Sequence, residues 1–277
     1  MDHSQILDEY IIITTVNKGY LKIFDLWMEY FDRLDYSSIL HVITYDKDSD
    51  EYVKRKGVNT IRVYDEVKTP NDIFYTRLKT ISGFLKRGKH IVHTDADAFW
   101  LKDVLPAVIN KDFDLQSSIG HGIPESVLQA WGFSLCCGFY ILHSNKDTIK
   151  LFEQWIPKAM EKRSDQRALN ELLLTHDVRW NCNNTEYNTG YCVYFNLSVH
   201  AIDLNIISRK KRKGVWVYHP SLKVKYEQVK LRTALSKLMK VDNSAFLNKM
   251  HNKTFFKFST WHQYILKSLD DRKKNAG

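Results

Sequence analysis

The chain has 277 residues, 41 of them Lys or Arg and 32 Asp or Glu, for a formal net charge of +9. At 44% hydrophobic and 26% charged, with only 11 Gly and 5 Pro, it can pack a core and falls outside the disordered, collagen-like and low-complexity classes. No apolar run approaches the roughly 20 residues of a membrane helix, and the acidic, polar opening lacks the layout of a secretory signal, so the expectation is a cytoplasmic chain without a membrane span.

Ile11, Ile12 and Ile13 begin a β-branched run to Val16, and residues 20–31 then place Leu21, Phe24, Leu26, Trp27 and Phe31 at helical spacing. Residues 39–45 read as a second strand stopped by an acidic turn over 46–50, and residues 60–64 as a third. A helix follows over 73–86, closed by Gly88, and 91–93 starts another strand. Strands alternating with helices imply a largely parallel sheet covered on both faces.

The second half continues with a strand at 113–117, a glycine-punctuated loop from 120 to 132 and an apolar strand over 135–142. Helices are expected at 146–160, interrupted at Pro157, and at 165–174, with Asp165 capping the first turn. Strands resume near 193–195 and 215–218. Beyond Pro220 the pattern is helical and basic and ends in Phe255, Phe256, Phe258, Trp261 and Tyr264. The expected organisation is an α/β domain over 1–225 and a basic, aromatic helical extension over 226–277 packed on it. Cys136, Cys137, Cys182 and Cys192 lack the paired spacing of a zinc site and read as reduced and structural.

The sharpest chemical feature is Asp95-Ala96-Asp97, which follows an apolar strand and precedes Phe99-Trp100. Two carboxylates at the carboxyl end of a buried strand are costly unless paired or bound to a cation, and ligands of open α/β sheets sit at that edge. An extended backbone turns side chains two apart to the same face, so one ion could engage both, and oxygen ligation suits Mg2+ or Mn2+. The run Arg209-Lys210-Lys211-Arg212-Lys213 fits three readings: a nucleic-acid contact, an attractor for a nucleotide diphosphate or acidic acceptor, or a solvated loop.

Five further segments surround the paired aspartates in a fixed order, and with them the chain resembles the nucleotide-diphospho-sugar glycosyltransferases of the GT-A fold, in particular the glycogenin-like group and the nucleotide-diphospho-sugar transferase family. The resemblance covers short islands between residues 10 and 225. It implies a single Rossmann-like GT-A domain with a mixed, mainly parallel sheet. It further implies that Thr15, Val16 and Asn17 hold the base and ribose of the donor, and that Arg77 of Tyr75-Thr76-Arg77-Leu78 lies against the nucleotide and the first motif aspartate. Asp95 and Asp97 are implied as metal ligands, Asp95 with an additional ribose contact. Gly138, after Cys136-Cys137, corresponds to the glycine beneath the donor sugar, although the family often has Asn or Ala where this chain has cysteine.

In Asp165-Gln166-Arg167-Ala168-Leu169-Asn170, Asp165 matches the family's carboxylate beside the anomeric carbon and Gln166 a donor contact. His219 matches a late histidine that completes the metal site, and Lys225 a diphosphate-contacting lysine, with Lys223 as its competitor. The implied activity is that of a metal-dependent hexosyl- or pentosyltransferase. A Mn2+ or Mg2+ ion would assist sugar transfer from a nucleotide-sugar donor, with UDP favoured, to a hydroxyl of a glycan or glycoprotein acceptor. A nucleic-acid partner is not favoured. A metal-dependent nuclease or phosphatase, and a non-catalytic carbohydrate-binding protein on the same fold, are the alternatives.

Overall fold

The run Tyr-Ile-Ile-Ile-Thr-Thr-Val forms a strand in which six of seven residues are buried, as a near-continuous apolar run requires when helices cover both faces of a sheet. The structure, a computed structural model, describes residues 1–67, 69, 71–120, 124–182, 188–220 and 228–239. These belong to a unit spanning Met1–Val241.

The first half comprises α1 (His3–Glu9), β1 (Tyr10–Val16), α2 (Leu21–Phe31), β2 (Leu40–Thr44), α3 (Lys47–Arg55), β3 (Asn59–Arg62), α4 (Asp72–Leu85), β4 (His90–Thr94) and β5 (Phe99–Trp100). The second half adds α5 (Leu105–Val108), β6 (Leu115–Gly120), α6 (Glu125–Trp131), β7 (Ser134–Leu142), α7 (Lys146–Lys162), α8 (Asp165–Thr175), β8 (Arg179–Cys182) and β9 (Asn188–Cys192). After these come β10 (Leu197–Ile202), β11 (Ile207–Ser208), β12 (Val217–Tyr218) and α9 (Gln228–Met239).

Nine strands form the main sheet in the order β3-β2-β1-β4-β7-β6-β10-β9-β8. β3, β2, β1 and β4 pair in parallel, as do β6 and β10. β7 runs antiparallel to both its neighbours, and β9 to both of its own. The sheet is therefore mixed, with every strand but β7 and β9 pointing the same way. Strand order reverses between β1 and β4, and ligands of open α/β sheets collect at the carboxyl ends of the strands beside such a reversal.

A second, three-stranded sheet of β11-β12-β5 stands beside it. Its antiparallel register pairs Tyr218 with Phe99 and Val217 with Trp100, which delivers His219 to the turn that precedes β5. Two tryptophans anchor that turn. Trp27 on α2 donates through Nε1 to the Ala98 carbonyl at 2.9 Å, and Trp100 donates to Thr94 Oγ1 at 3.1 Å.

Several local expectations are corrected. The acidic stretch 46–50 opens α3: Asp46 is its N-cap and accepts from Ser49 N at 2.8 Å, so its carboxylates favour a helix start rather than a turn. The loop 120–132 contains α6, closed by Gly132 at φ +79°. Pro157 lies inside α7 without ending it, because Leu151, Phe152, Trp155 and Ala159 bury one face on both sides of the proline. The strand expected at 193–195 is the turn between β9 and β10, where Asn196 adopts φ +54°.

At α8, Ser164 is the N-cap and accepts from Arg167 N at 3.2 Å; Asp165 is the first helical residue. The division expected at 225/226 and the C-terminal aromatics lie outside the described residues. α9 belongs to the same unit as the sheet, and Arg232 on it makes a bidentate pair with Glu29 of α2 at 2.8 and 2.9 Å. Cys136, Cys137 and Cys192 are buried free thiols.

Candidate active site

β4 ends at Thr94, and the chain then folds into a tight turn: Asp95 N donates to the Gly138 carbonyl at 2.8 Å and Ala98 N to the Asp95 carbonyl at 2.9 Å. The two carboxylates thus converge through a turn, not through the extended backbone expected from their spacing. His219 completes the group. Its Nε2 lies 3.2 Å from Asp97 Oδ1 and 3.7 Å from Asp95 Oδ2, and one ligand atom from each of the three residues falls within 4.8 Å of the others. Asp97 and His219 are buried at 1% and 4% exposure, while Asp95 opens toward solvent.

Gly138 on β7 lies directly under this group. A Cβ there would come within 2.7 Å of His219 Nδ1 and 2.9 Å of Asp95 Oδ2, so only glycine lets the ring and the carboxylate settle on the strand. Its missing side chain makes room for His219 and Asp95, and Gly138 still lines the cleft.

Arg77 on α4 ties the turn to the start of α8. Its Nη1 donates to Asp95 Oδ1 at 3.1 Å and lies 3.2 Å from His93 Nε2, and its Nη2 pairs with Asp165 Oδ2. The three partners and Arg77 form a network in which Arg77, His93 and Asp165 are buried. Burial opposes the arginine's charge, but Asp165 and Asp95 outweigh it and raise its pKa further. Burial beside Arg77 lowers the pKa of His93 and keeps it neutral. Burial also works against the Asp95 carboxylate; His93, Arg77 and His219 more than offset this and hold it well below the usual carboxylate range.

The group opens into a cleft of about 390 Å³, within the size range of small-molecule sites. Thr15, Val16 and Asn17 line it at the end of β1, together with Arg77, Asp95, Asp97, Gly138, Asp165, Gln166 and His219. Lys223 and Lys225 lie outside the described residues. The cleft also contains Tyr20, Tyr45, Phe74, Cys136 and Arg209, which the sequence reading did not assign to it. Tyr45 immediately follows β2 and Tyr20 precedes α2, so the strand-end rule could have found both. Tyr20 donates its hydroxyl to Asp97 Oδ2 at 3.4 Å.

Electrostatics make His219 the mobile charge of the site. Burial disfavours its cation, yet Asp97, and then the Cys136 thiol, overcome this and raise its pKa from 6.5 to about 10. The groups facing it are Asp95 and Asp97 from the turn after β4, Cys136 from β7 and Arg209 beyond β11. A raised folded-state pKa stabilises the fold fully below pH 6.5, and that contribution is lost as pH rises through about 10. The metal-free protein is therefore expected to melt at progressively lower temperature from pH 6.5 to 10. Metal ligation needs neutral imidazole, so Mn2+ affinity should rise over the same window. Calorimetric melting and metal titration at pH 6.5, 8 and 9.5 check both slopes, and a flat profile in both would remove His219 from the site.

A model of the nucleotide-diphospho-sugar transferase family matches residues 38–233. The protein At1g28695 of Arabidopsis thaliana is 26% identical over 188 residues, 59% of this chain, and the chain spans 55% of that relative's length. Among solved structures, the glycosyltransferase GlyE of Streptococcus pneumoniae TIGR4 superposes with a TM-score of 0.52 at 12% identity, covering 89% of this chain and 64% of its own. The galactosyltransferase LgtC, solved with donor and acceptor sugar analogues, gives 0.53 at 14% identity, covering 87% of this chain and 100% of its own. At such identities the likeness concerns the fold, which is that of the GT-A glycosyltransferases.

Proposed function

The chain belongs to the nucleotide-diphospho-sugar transferase family, and on that premise we propose that it moves a sugar from a UDP-sugar to a hydroxyl of a glycan or glycoprotein with the help of a divalent ion. The observation that carries this reading is the group Asp95, Asp97 and His219, gathered in the lining of a cleft of small-molecule size. Its donor set suits such an ion: two carboxylates and an imidazole, with His219 held protonated between the acids until a cation replaces its proton. Bound there, Mn2+ or Mg2+ would supply positive charge against the negative charge that develops on the departing diphosphate.

The protein's own groups supply the rest of the reading. Thr15, Val16 and Asn17 edge the slot for base and ribose, next to the rings of Tyr45 and Phe74. Arg77 holds Asp95 and Asp165 in place by pairing with both. Asp165 would face the anomeric centre with its negative charge, and Gln166 would contact the donor. A nuclease or phosphatase would gather further acidic ligands around the pair; among the described residues the cluster has three members. No described helix is long and apolar enough to cross a membrane.

Isothermal titration of UDP, GDP and a panel of UDP-sugars, with and without Mn2+, tests the proposal. The expected result is binding of UDP and at least one UDP-sugar that strengthens 10-fold or more with the metal. Binding indifferent to metal would support a carbohydrate-binding or scaffolding role instead, and indifference to the sugar a phosphate-processing one.

A further inference from the structure

The cleft holds two arginines in different circumstances. Arg77 is spent: both its Nη groups are committed to Asp95, His93 and Asp165, and its side chain is 6% exposed. Arg209 follows β11, is half-buried and lines the same cleft. Its Nη1 lies 3.4 Å from His219 Nδ1 and 3.6 Å from Cys136 Sγ. No carboxylate pairs with it among the described residues. A guanidinium carries five N–H donors in a planar fork suited to phosphate oxygens, and those on Nη2 and Nε make no hydrogen bond among the described residues.

Charge balance shows what that cation can serve. Asp95, Asp97 and Asp165 are matched by Arg77 and a divalent ion, so that among the described Lys and Arg residues lining the cleft Arg209 is left to face the two negative charges of the donor's diphosphate. His219 stands between the two halves of the site: Nε2 faces the carboxylates and Nδ1 faces Arg209. We propose that Arg209 binds the diphosphate of the donor from the side of His219 opposite the two aspartates. It thereby acts as a phosphate-binding residue of the cleft and not as part of the solvated basic loop that follows it. This rests on the transferase reading above.

The test uses the full chain, with Mn2+, UDP and uridine as probes. Arg209→Ala should weaken UDP binding in the presence of Mn2+ by roughly 10- to 100-fold, the range for losing a charge-assisted phosphate contact. It should leave uridine binding, and Mn2+ binding measured alone, as in the unsubstituted protein. Arg209→Lys should recover part of the loss, because it restores the charge without the fork. If Mn2+ affinity falls in parallel with UDP affinity, Arg209 merely props His219 and the proposal is overturned. Unchanged UDP affinity in Arg209→Ala also overturns it, with the transferase reading intact. If the unsubstituted protein binds no UDP with Mn2+, both fall together.

Discussion

Asp97→Asn is expected to reduce turnover of a nucleotide sugar by about 100-fold or more, the usual consequence of removing a group that supports charge on a leaving diphosphate. Asparagine preserves volume and still offers an oxygen to the Tyr20 hydroxyl, so the turn after β4 should keep its shape. What it removes is the charge facing His219 Nε2 at 3.2 Å. The imidazole then loses its main support for the raised pKa, and the metal loses its most buried carboxylate ligand. Mn2+ affinity should fall at least about 10-fold along with the rate. Because Asp97 is only 1% exposed, alanine would also leave a polar void, and the asparagine variant is the cleaner experiment. Ordinary turnover together with unchanged Mn2+ affinity in Asp97→Asn would sink the metal-site argument.

The sheet was legible where period and composition agree. β1, β2 and β4 are short β-branched runs bounded by polar residues, and α2 and α4 carry their apolar residues at helical spacing, so each was placed within a few positions. Misreadings cluster where one residue type serves two ends. Aspartates both end strands and cap helices, which is why 46–50 looked like a turn while Asp46 was capping α3. Ser164 and Asp165 are adjacent and both suit an N-cap. In the structure Ser164 takes the cap, while Asp165 turns its carboxylate to Arg77, a contact across 88 positions of sequence.

The site was legible in its residue types and obscure in its geometry. Asp95 and Asp97 announce themselves by their carboxylates beside an apolar strand. His219 could be matched only by spacing to a family motif; its physical reason, the pairing of β12 with β5, involves two-residue strands too short for any periodicity to reveal. The need for glycine at 138 arises from two side chains from distant segments settling on one strand. Arg209 was hidden differently. It heads a run of five basic residues for which composition leaves a nucleic-acid contact, a diphosphate attractor and a solvated loop all open, whereas the turn after β11 places its first member in the cleft.

Asp165 carries the most consequential ambiguity. Its Oδ2 pairs with Arg77, its Oδ1 accepts from Gln166 N at 2.8 Å, and it is 2% exposed. Helix capping is not at stake, since Ser164 performs it. Asp165→Leu should cost about 3–5 kcal/mol in urea unfolding, the penalty for stripping one partner from a buried ion pair. Asp165→Asn retains an oxygen for Arg77 and should cost less, about 1–3 kcal/mol. Turnover is the discriminating measurement. If the negative charge serves the oxocarbenium-like centre, Asp165→Asn should bind UDP-sugar normally yet turn over about 100-fold more slowly. If Asp165 acts only by holding Arg77 against Asp95, the turnover lost in Asp165→Leu should be reproduced by Arg77→Met, and the double substitution should be no worse than either alone, while Asp165→Asn turns over normally. Ordinary turnover in Asp165→Asn would exclude the carboxylate from the chemistry and leave it as the anchor that joins α8 to the aspartate turn.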